Sequence, residues 1–242
     1  MNNYFNNLIS VFIILFSSIA SAGFSQNLYG DGNVVKETKY VDAFEKIELN
    51  GIINLFIQQG DIQKVEIEAD KNLIPYIEFK SGNNTLDIST RDKAEIKSST
   101  KLKAYITLKN IESIELNSTG NLNTIGKLKL KDIEIESNSI GNIIMDIDCN
   151  KLTLECNSIG NVTLTGNADI VDIEQNSIGN VKAFDLKADK LEIENNSTGN
   201  SEVYADREFS ISLNGTGNIT YSGNAIVRKL EKNGIGKVEK ND

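Results

Sequence analysis

A five-residue phrase recurs seven times in the second half of this chain. It reads NSTGN at 117–121, NSIGN at 138–142, 157–161 and 176–180, NSTGN at 196–200, NGTGN at 214–218 and NGIGK at 233–237. Successive starts lie 21, 19, 19, 20, 18 and 19 residues apart. Self-similarity at a fixed period means that one small unit, unable to bury its apolar side alone, is stacked on copies of itself.

The unit around Asn157 shows how. Leu152 and Leu154 alternate with Thr153 and Glu155, then comes Asn-Ser-Ile-Gly-Asn, then Val162 and Leu164 alternate with Thr163 and Thr165. Two half-buried strands flank a corner, and Gly166-Asn167 marks the next turn. The neighbouring units repeat this in the same phase, which suits parallel stacking about 4.8 Å apart rather than reversing hairpins. The expected fold is all-β, a right-handed parallel β-helix or β-solenoid with coils of about 19 residues.

Each corner position becomes a column. The residue before glycine is Thr119, Ile140, Ile159, Ile178, Thr198, Thr216 or Ile235. All are β-branched, and the expectation is an inward column packed on itself. The structural corners Gly120, Gly141, Gly160, Gly179, Gly199, Gly217 and Gly236 imply a backbone position closed to side chains, with positive φ expected. The flanking asparagines are expected to hydrogen-bond amide to amide along the axis. Residues 27–113 are less regular, and Phe44–Gly51 resembles an early coil. Asp70–Lys80 suggests a turn or short helix before Pro75, and Arg91–Lys103 a longer exposed loop.

With 242 residues the chain accommodates one large all-β domain, expected over 23–242 once a leader is removed. Leu8 to Ala20 is mostly apolar and Ala20-Ser21-Ala22 has the small-x-small pattern of a cleavage site, so 1–22 reads as a signal peptide. Export to the periplasm, the outer-membrane surface or the extracellular space follows. Cys149 and Cys156 could pair across a turn, but the stacked-strand position of Cys156 points to two buried small apolar residues.

Two residues before each corner asparagine stand Glu115, Glu136, Glu155, Glu174, Glu194, Ser212 and Glu231. Alternation places this column outward, where like charges at coil spacing repel. Lysines such as Lys131, Lys151 and Lys190 are the expected screen, and Ca²⁺ the alternative, since carboxylates are hard-oxygen ligands. This acidic column is the candidate ligand-binding surface. The net charge of −9 argues against nucleic acids and anionic membranes. The absence of histidine removes Ser-His and Cys-His catalysis. No glycine opens a helix, so there is no phosphate loop. No catalytic residue and no metal site is assigned.

The runs FEKIELNGIINLFIQQGD at 44–61, VEIEADKNLIPYIEFKSGNNTLDIST at 65–90 and KAYITLKNIESIELNSTGN at 103–121 resemble the head GIN domain family of auto-transporter adhesins, a family of unknown function (DUF2807). The likeness covers about 35–238. It implies an exported β-helix-like protein and an adhesin role, and carries no catalytic or ligand residue across. Residues 200–242 show no transmembrane β-strand pattern, so no translocator is expected. The resulting expectation is a non-enzymatic interaction module of the cell envelope that binds glycan or an envelope protein. A polysaccharide-active β-helix enzyme and a structural spacer are the alternatives.

Overall fold

A computed structural model describes residues 25–241; the expected leader lies outside the described residues. The chain is nearly all strand, and eighteen of its strands form one continuous sheet wound into a parallel solenoid of about seven turns. One coil comprises Lys46–Gly51 and Asn54–Gln59, and the next Ser113–Ser118, Leu122–Thr124 and Leu128–Lys129. From there, long strands bend through a second corner and serve two coils in turn: Ile143–Cys156, Val162–Gln175, Val181–Asn195 and Ser201–Leu213. Ile219–Ser222, Ile226–Lys232 and Val238–Lys240 complete the stack.

Register follows the phrase. Glu136 lies opposite Glu155, Glu155 opposite Glu174, and Glu174 opposite Glu194. The apolar partners of the alternation fill the interior: Ile133, Ile135, Leu152, Leu154, Val171, Ile173, Leu191, Ile193, Phe209 and Ile211 are all buried. One apolar column above the next gives a continuous core, with no coil able to form it alone.

Two expectations about the corner are corrected. The isoleucines before glycine point outward, with Ile140, Ile159 and Ile178 being 59%, 57% and 67% exposed. Strand alternation runs unbroken through the corner, so the parity that turns Glu155 out also turns Ile159 out. The inward residue is the serine: Ser118, Ser139, Ser158, Ser177 and Ser197 are buried. The corner glycines, moreover, do not have positive φ; that conformation belongs to Gly32, Gly51, Gly126, Gly166 and Gly223. Glycine is required at the corner by proximity. A Cβ on Gly160 would lie closer than 3.0 Å to the carbonyl oxygen of Gly141, and the same holds for Gly179 over Gly160 and Gly217 over Gly199.

The irregular segment closes the N-terminal end of the stack. Thr85–Thr90 and Leu102–Leu108 add in parallel to Lys46–Gly51 and Asn54–Gln59. Antiparallel strands then lie outside them: Ile77–Gly82 on Thr85–Thr90, and Lys64–Asp70 followed by Val34–Lys39 on Leu102–Leu108. The reversal ends the run of parallel edges that would template another chain. The short helix expected before Pro75 is a one-turn 3₁₀ helix, Ile74–Tyr76, that contains Pro75 in its first turn, where the missing N–H costs nothing. Arg91–Lys103 is not a loop. It contains strand Ala94–Ser98, which pairs in parallel with Gln26–Tyr29 and buries Ile96 and Leu28; its dense charge masked a short period-two pattern.

Asp70 fastens this cap. It is fully buried, and its two oxygens accept the N–H groups of Gly32 and Thr100, each at 2.7 Å. Burial is the largest influence and pushes its carboxyl up, but the hydrogen bonds from Thr100, Gly32 and Lys101 outweigh it, leaving the pKa below its ordinary value.

Two outcomes follow. Gly160→Ala is expected to destabilise the protein by about 1–3 kcal/mol or more in urea unfolding, whereas Gly82→Ala, with open space at its Cβ, should change stability by less than about 1 kcal/mol; similar effects at both sites would refute the proximity argument. Because the folded pKa of Asp70 is depressed, its contribution is complete above the unfolded value of about 3.9 and is lost as pH falls through the folded value. Asp70→Asn should therefore be less stable at neutral pH and lose less on acidification than the wild type; parallel pH profiles of the urea midpoint would contradict this.

Candidate functional site

The corner face is built from four adjacent columns, each fixed by alternation: Glu155, Asn157, Ile159 and Asn161 in one coil, with their equivalents above and below. The candidate carboxylates Glu115, Glu136, Glu155, Glu174 and Glu194 do stand in register. The column reaches further than the phrase implies, through Glu48 to Asp87 at the N-terminal end. At the other end Ser212 and Glu231 continue it.

The lysine screen expected for this column is absent. Among the described residues none of the five carboxylates is in an ion pair, and Lys190 pairs with Glu208 at 3.2 Å instead. Lys131 and Lys151 line a shallow groove of about 340 Å³ with Glu112 and Glu134, one column away. What meets each carboxylate is an amide. Asn117 Nδ2 donates to Glu115 at 2.7 Å, and Asn138, Asn157 and Asn176 donate to Glu136, Glu155 and Glu174 at 2.8 Å each. Asn214 reaches Glu194 at 3.2 Å. Neighbouring charges at coil spacing repel by about 1 kcal/mol or less in water, and a hydrogen bond to a charged group is worth about 1.5–3 kcal/mol. The amides are therefore sufficient to hold the column.

The same amides run along the axis. Asn157 Nδ2 also donates to Asn138 Oδ1 at 3.1 Å and Asn176 Nδ2 to Asn157 Oδ1 at 3.0 Å, a ladder that extends from Asn50 to Asn233. A second ladder starts at Asn54. The Oδ1 atoms of Asn54, Asn121, Asn142 and Asn161 each accept both the backbone N–H and the Nδ2 of the asparagine in the next coil, and those of Asn180, Asn200 and Asn218 accept the next coil's backbone N–H. From Asn117 to Asn176 the first ladder thus spends both amide hydrogens, and from Asn54 to Asn161 the second spends both carbonyl lone pairs.

Beneath the corner lies a polar seam that no period in the sequence revealed. Gln175 Nε2 donates to Gly179 O at 2.6 Å, and Asn195 Nδ2 to Gly199 O at 3.2 Å and Ser201 Oγ at 3.0 Å. The substitution of Gln175 and Asn195 for the apolar residue at Leu116 and Leu213 is its one sequence signature. These buried side chains satisfy carbonyls that the tight corner turns inward.

Elsewhere the chemistry is quiet. Cys149 and Cys156 are both free and buried. Burial, with nearby Asp132, Asp169 and Asp148, pushes the Cys149 thiol up to about 11; burial and Glu155 push Cys156 up to about 12. Neither is a thiolate nucleophile near neutrality. A groove of about 410 Å³ at the second corner gathers Asp148, Asp169, Asp189 and Asp206 beside Tyr204. Arg207 pairs with Asp189 at 3.3 Å, so an arginine sits beside this acidic cluster. Hydrogen bonds from Asn167 and Lys127 hold Asp148 below the usual carboxylate range. Among the described residues no three His, Cys, Asp or Glu side chains converge as metal ligands, and no helix is long and apolar enough to cross a membrane.

The family model described as "Putative auto-transporter adhesin, head GIN domain" (DUF2807) matches residues 43–225. The chain belongs to this family. Its solenoid resembles that of a "putative adhesin" from Bacteroides fragilis NCTC 9343, with TM-score 0.84, 24% identity and coverage of 88% of this chain and 100% of the other. A "putative adhesin" from Parabacteroides distasonis ATCC 8503 gives 0.72, 22%, and 89% and 100% coverage. A "putative lipid binding protein" from the same strain gives 0.72, 21%, and 90% and 100%. At these identities the likeness establishes the fold. No curated protein sequence matches the chain.

The ladders generate a stability test. Asn157→Ala removes two donated bonds and one accepted bond, all exposed, and is expected to cost about 1–2 kcal/mol in urea unfolding. Glu155→Gln leaves the amide partner in place while removing a charge, so it should leave stability unchanged or raise it by a few tenths of a kcal/mol at low salt. A larger loss for Glu155→Gln than for Asn157→Ala would show that the carboxylate, not the amide, holds the corner.

Proposed function

We propose that this member of the head GIN domain family is an exported, non-enzymatic, adhesin-like module of the bacterial cell envelope. It binds glycan or an envelope protein through its corner face. The observation that carries this reading is an exposed band of carboxylates, amides and branched aliphatic side chains kept in register from coil to coil. Family membership supports the adhesin role and export. A surface of this kind offers repeated weak contacts and no enclosed reaction volume, which suits adhesion by many small increments.

The polysaccharide-active alternative rests on the aspartate groove at the second corner. Glycoside cleavage needs one carboxyl raised into acid form beside one that stays ionised. Asp148 is held in the opposite direction, and among the described residues every carboxyl with a displaced pKa (Glu66, Glu68, Asp70, Glu78, Asp148 and Glu208) is displaced downward. Ca²⁺ is retained as a bridging partner for adjacent carboxylates, to be tested rather than assumed.

A glycan array probed with the mature protein, with and without millimolar Ca²⁺, is the discriminating experiment. Binding to neutral or amino-bearing glycans and none to sulfated or uronic-acid glycans is expected. Preference for anionic glycans would overturn the assignment of the binding face, and silence on the whole array would leave an envelope protein as the partner. A gain of signal that needs Ca²⁺ would assign the ion to the carboxylate column.

A further inference from the structure

The exposed isoleucines give the corner face an apolar ridge that the coil itself does not need. Ile140, Ile159 and Ile178 stand in successive coils at the same corner position, each more than half exposed. Contiguous exposed apolar surface on an otherwise polar protein marks a contact site. Charge narrows what can cover it. The ridge runs beside carboxylates that have no ion-pair partner among the described residues, so a second copy of this chain would bring acidic rows together, and anionic polymers and membranes are repelled.

We propose that this ridge docks a linear cationic amino-sugar polymer lying along the solenoid axis, a refinement that rests on the glycan-binding reading above. Three features converge on it. The carboxylates supply one negative charge per coil, matched by one ammonium per sugar. The ridge offers methyl groups to the C–H faces of the rings. The two asparagine ladders flank the ridge with opposite capacities: the Asn157 side has only acceptors left, and the Asn161 side has one free N–H per coil. Hydroxyl groups, which both donate and accept, satisfy both edges.

A basic peptide fits less well. Backbone groups of the corner face are already bonded between coils, so there is no free edge for strand addition. An extended peptide presents like-facing side chains about every 6.6 Å, out of step with coils about 4.8 Å apart. A pyranose chain advances by close to one ring per coil and stays in step over several rings.

The test is calorimetric titration of the mature protein with hexamers of glucosamine, N-acetylglucosamine and galacturonate, and with a lysine-rich peptide, in mildly acidic buffer where the ligand amines are protonated. The glucosamine hexamer is expected to bind best and to weaken steeply with added salt. It should bind about tenfold more weakly to the Glu155→Gln/Glu174→Gln variant, whose melting is not lowered, and more weakly to Ile159→Ser. Equal binding of the acetylated hexamer would overturn the amino-sugar assignment while leaving glycan binding intact. Equal or tighter binding of the peptide would replace it with a protein partner. Binding that ignores salt and both variants would move the site off this face, and no binding by any hexamer, together with a silent array, would overturn both readings.

Discussion

Carbonyl oxygens of one corner sit where the next corner's side chain would be. Gly141 over Gly120, Gly160 over Gly141 and Gly179 over Gly160 repeat this contact through the stack, and the rest of the architecture follows from it. Coils that close on one another at strand spacing can bend sharply only if the bend carries no Cβ. Once glycine removes it, the bend needs a small inward group on one side, which is serine, and free outward space on the other, which isoleucine or threonine fills. Polar backbone forced inward by the bend must find partners. Gln175 and Asn195 provide them within the interior, and the two asparagine ladders serve the outer edge.

The ladders also explain how an acidic column persists. Like charges in adjacent strands would normally be broken up by lysine. Here the amide nitrogens of Asn117, Asn138, Asn157 and Asn176 each divide their two hydrogens between their own coil's carboxylate and the preceding coil's asparagine. Stacking and charge relief thus come from one side chain, and the flanking surface remains free of fixed counter-ions. A column screened by lysine would have been neutral and of little use for selecting a charged partner. Held by neutral amides, it keeps its full charge facing outward.

The period, the apolar columns, the outward glutamates and the axial pairing of asparagines were legible because each is a repeat of a repeat: one residue type at one phase, read several times. The direction of Ile159 was equally available, since it lies four residues from Glu155 and shares its parity. β-branching suggests burial, but at this tight corner volume decides, and serine is the residue that fits inside. The N-terminal cap was harder. Ala94–Ser98 and Gln26–Tyr29 are distant in sequence, each is short, and neither repeats, so nothing in one announces the other. Asp70 likewise looks like an ordinary charged residue until the loops containing Gly32 and Thr100 fold over it. The missing lysine screen could not be read at all, because sequence proximity to Lys131 and Lys151 says nothing about which column a long side chain joins.

Regularity itself bears on function. A pocket selects by shape at one place, and its precision depends on a few side chains held by their surroundings. A solenoid face selects by period: a partner that matches one coil matches the next only if its own repeat is commensurate, and every further match adds to binding without any new kind of contact. Such a face tolerates the loss of one position, as where Ser212 replaces glutamate, but not a change of spacing. The variations of one or two residues in coil length, 18 to 21 residues between phrases, fall outside the corner, which stays in register throughout. Insertions are absorbed between the corners, as bulges in the strands at Thr163–Thr165 and Phe209–Ser210 and at the second corner, so the spacing that a periodic partner would read is the one quantity the fold holds constant.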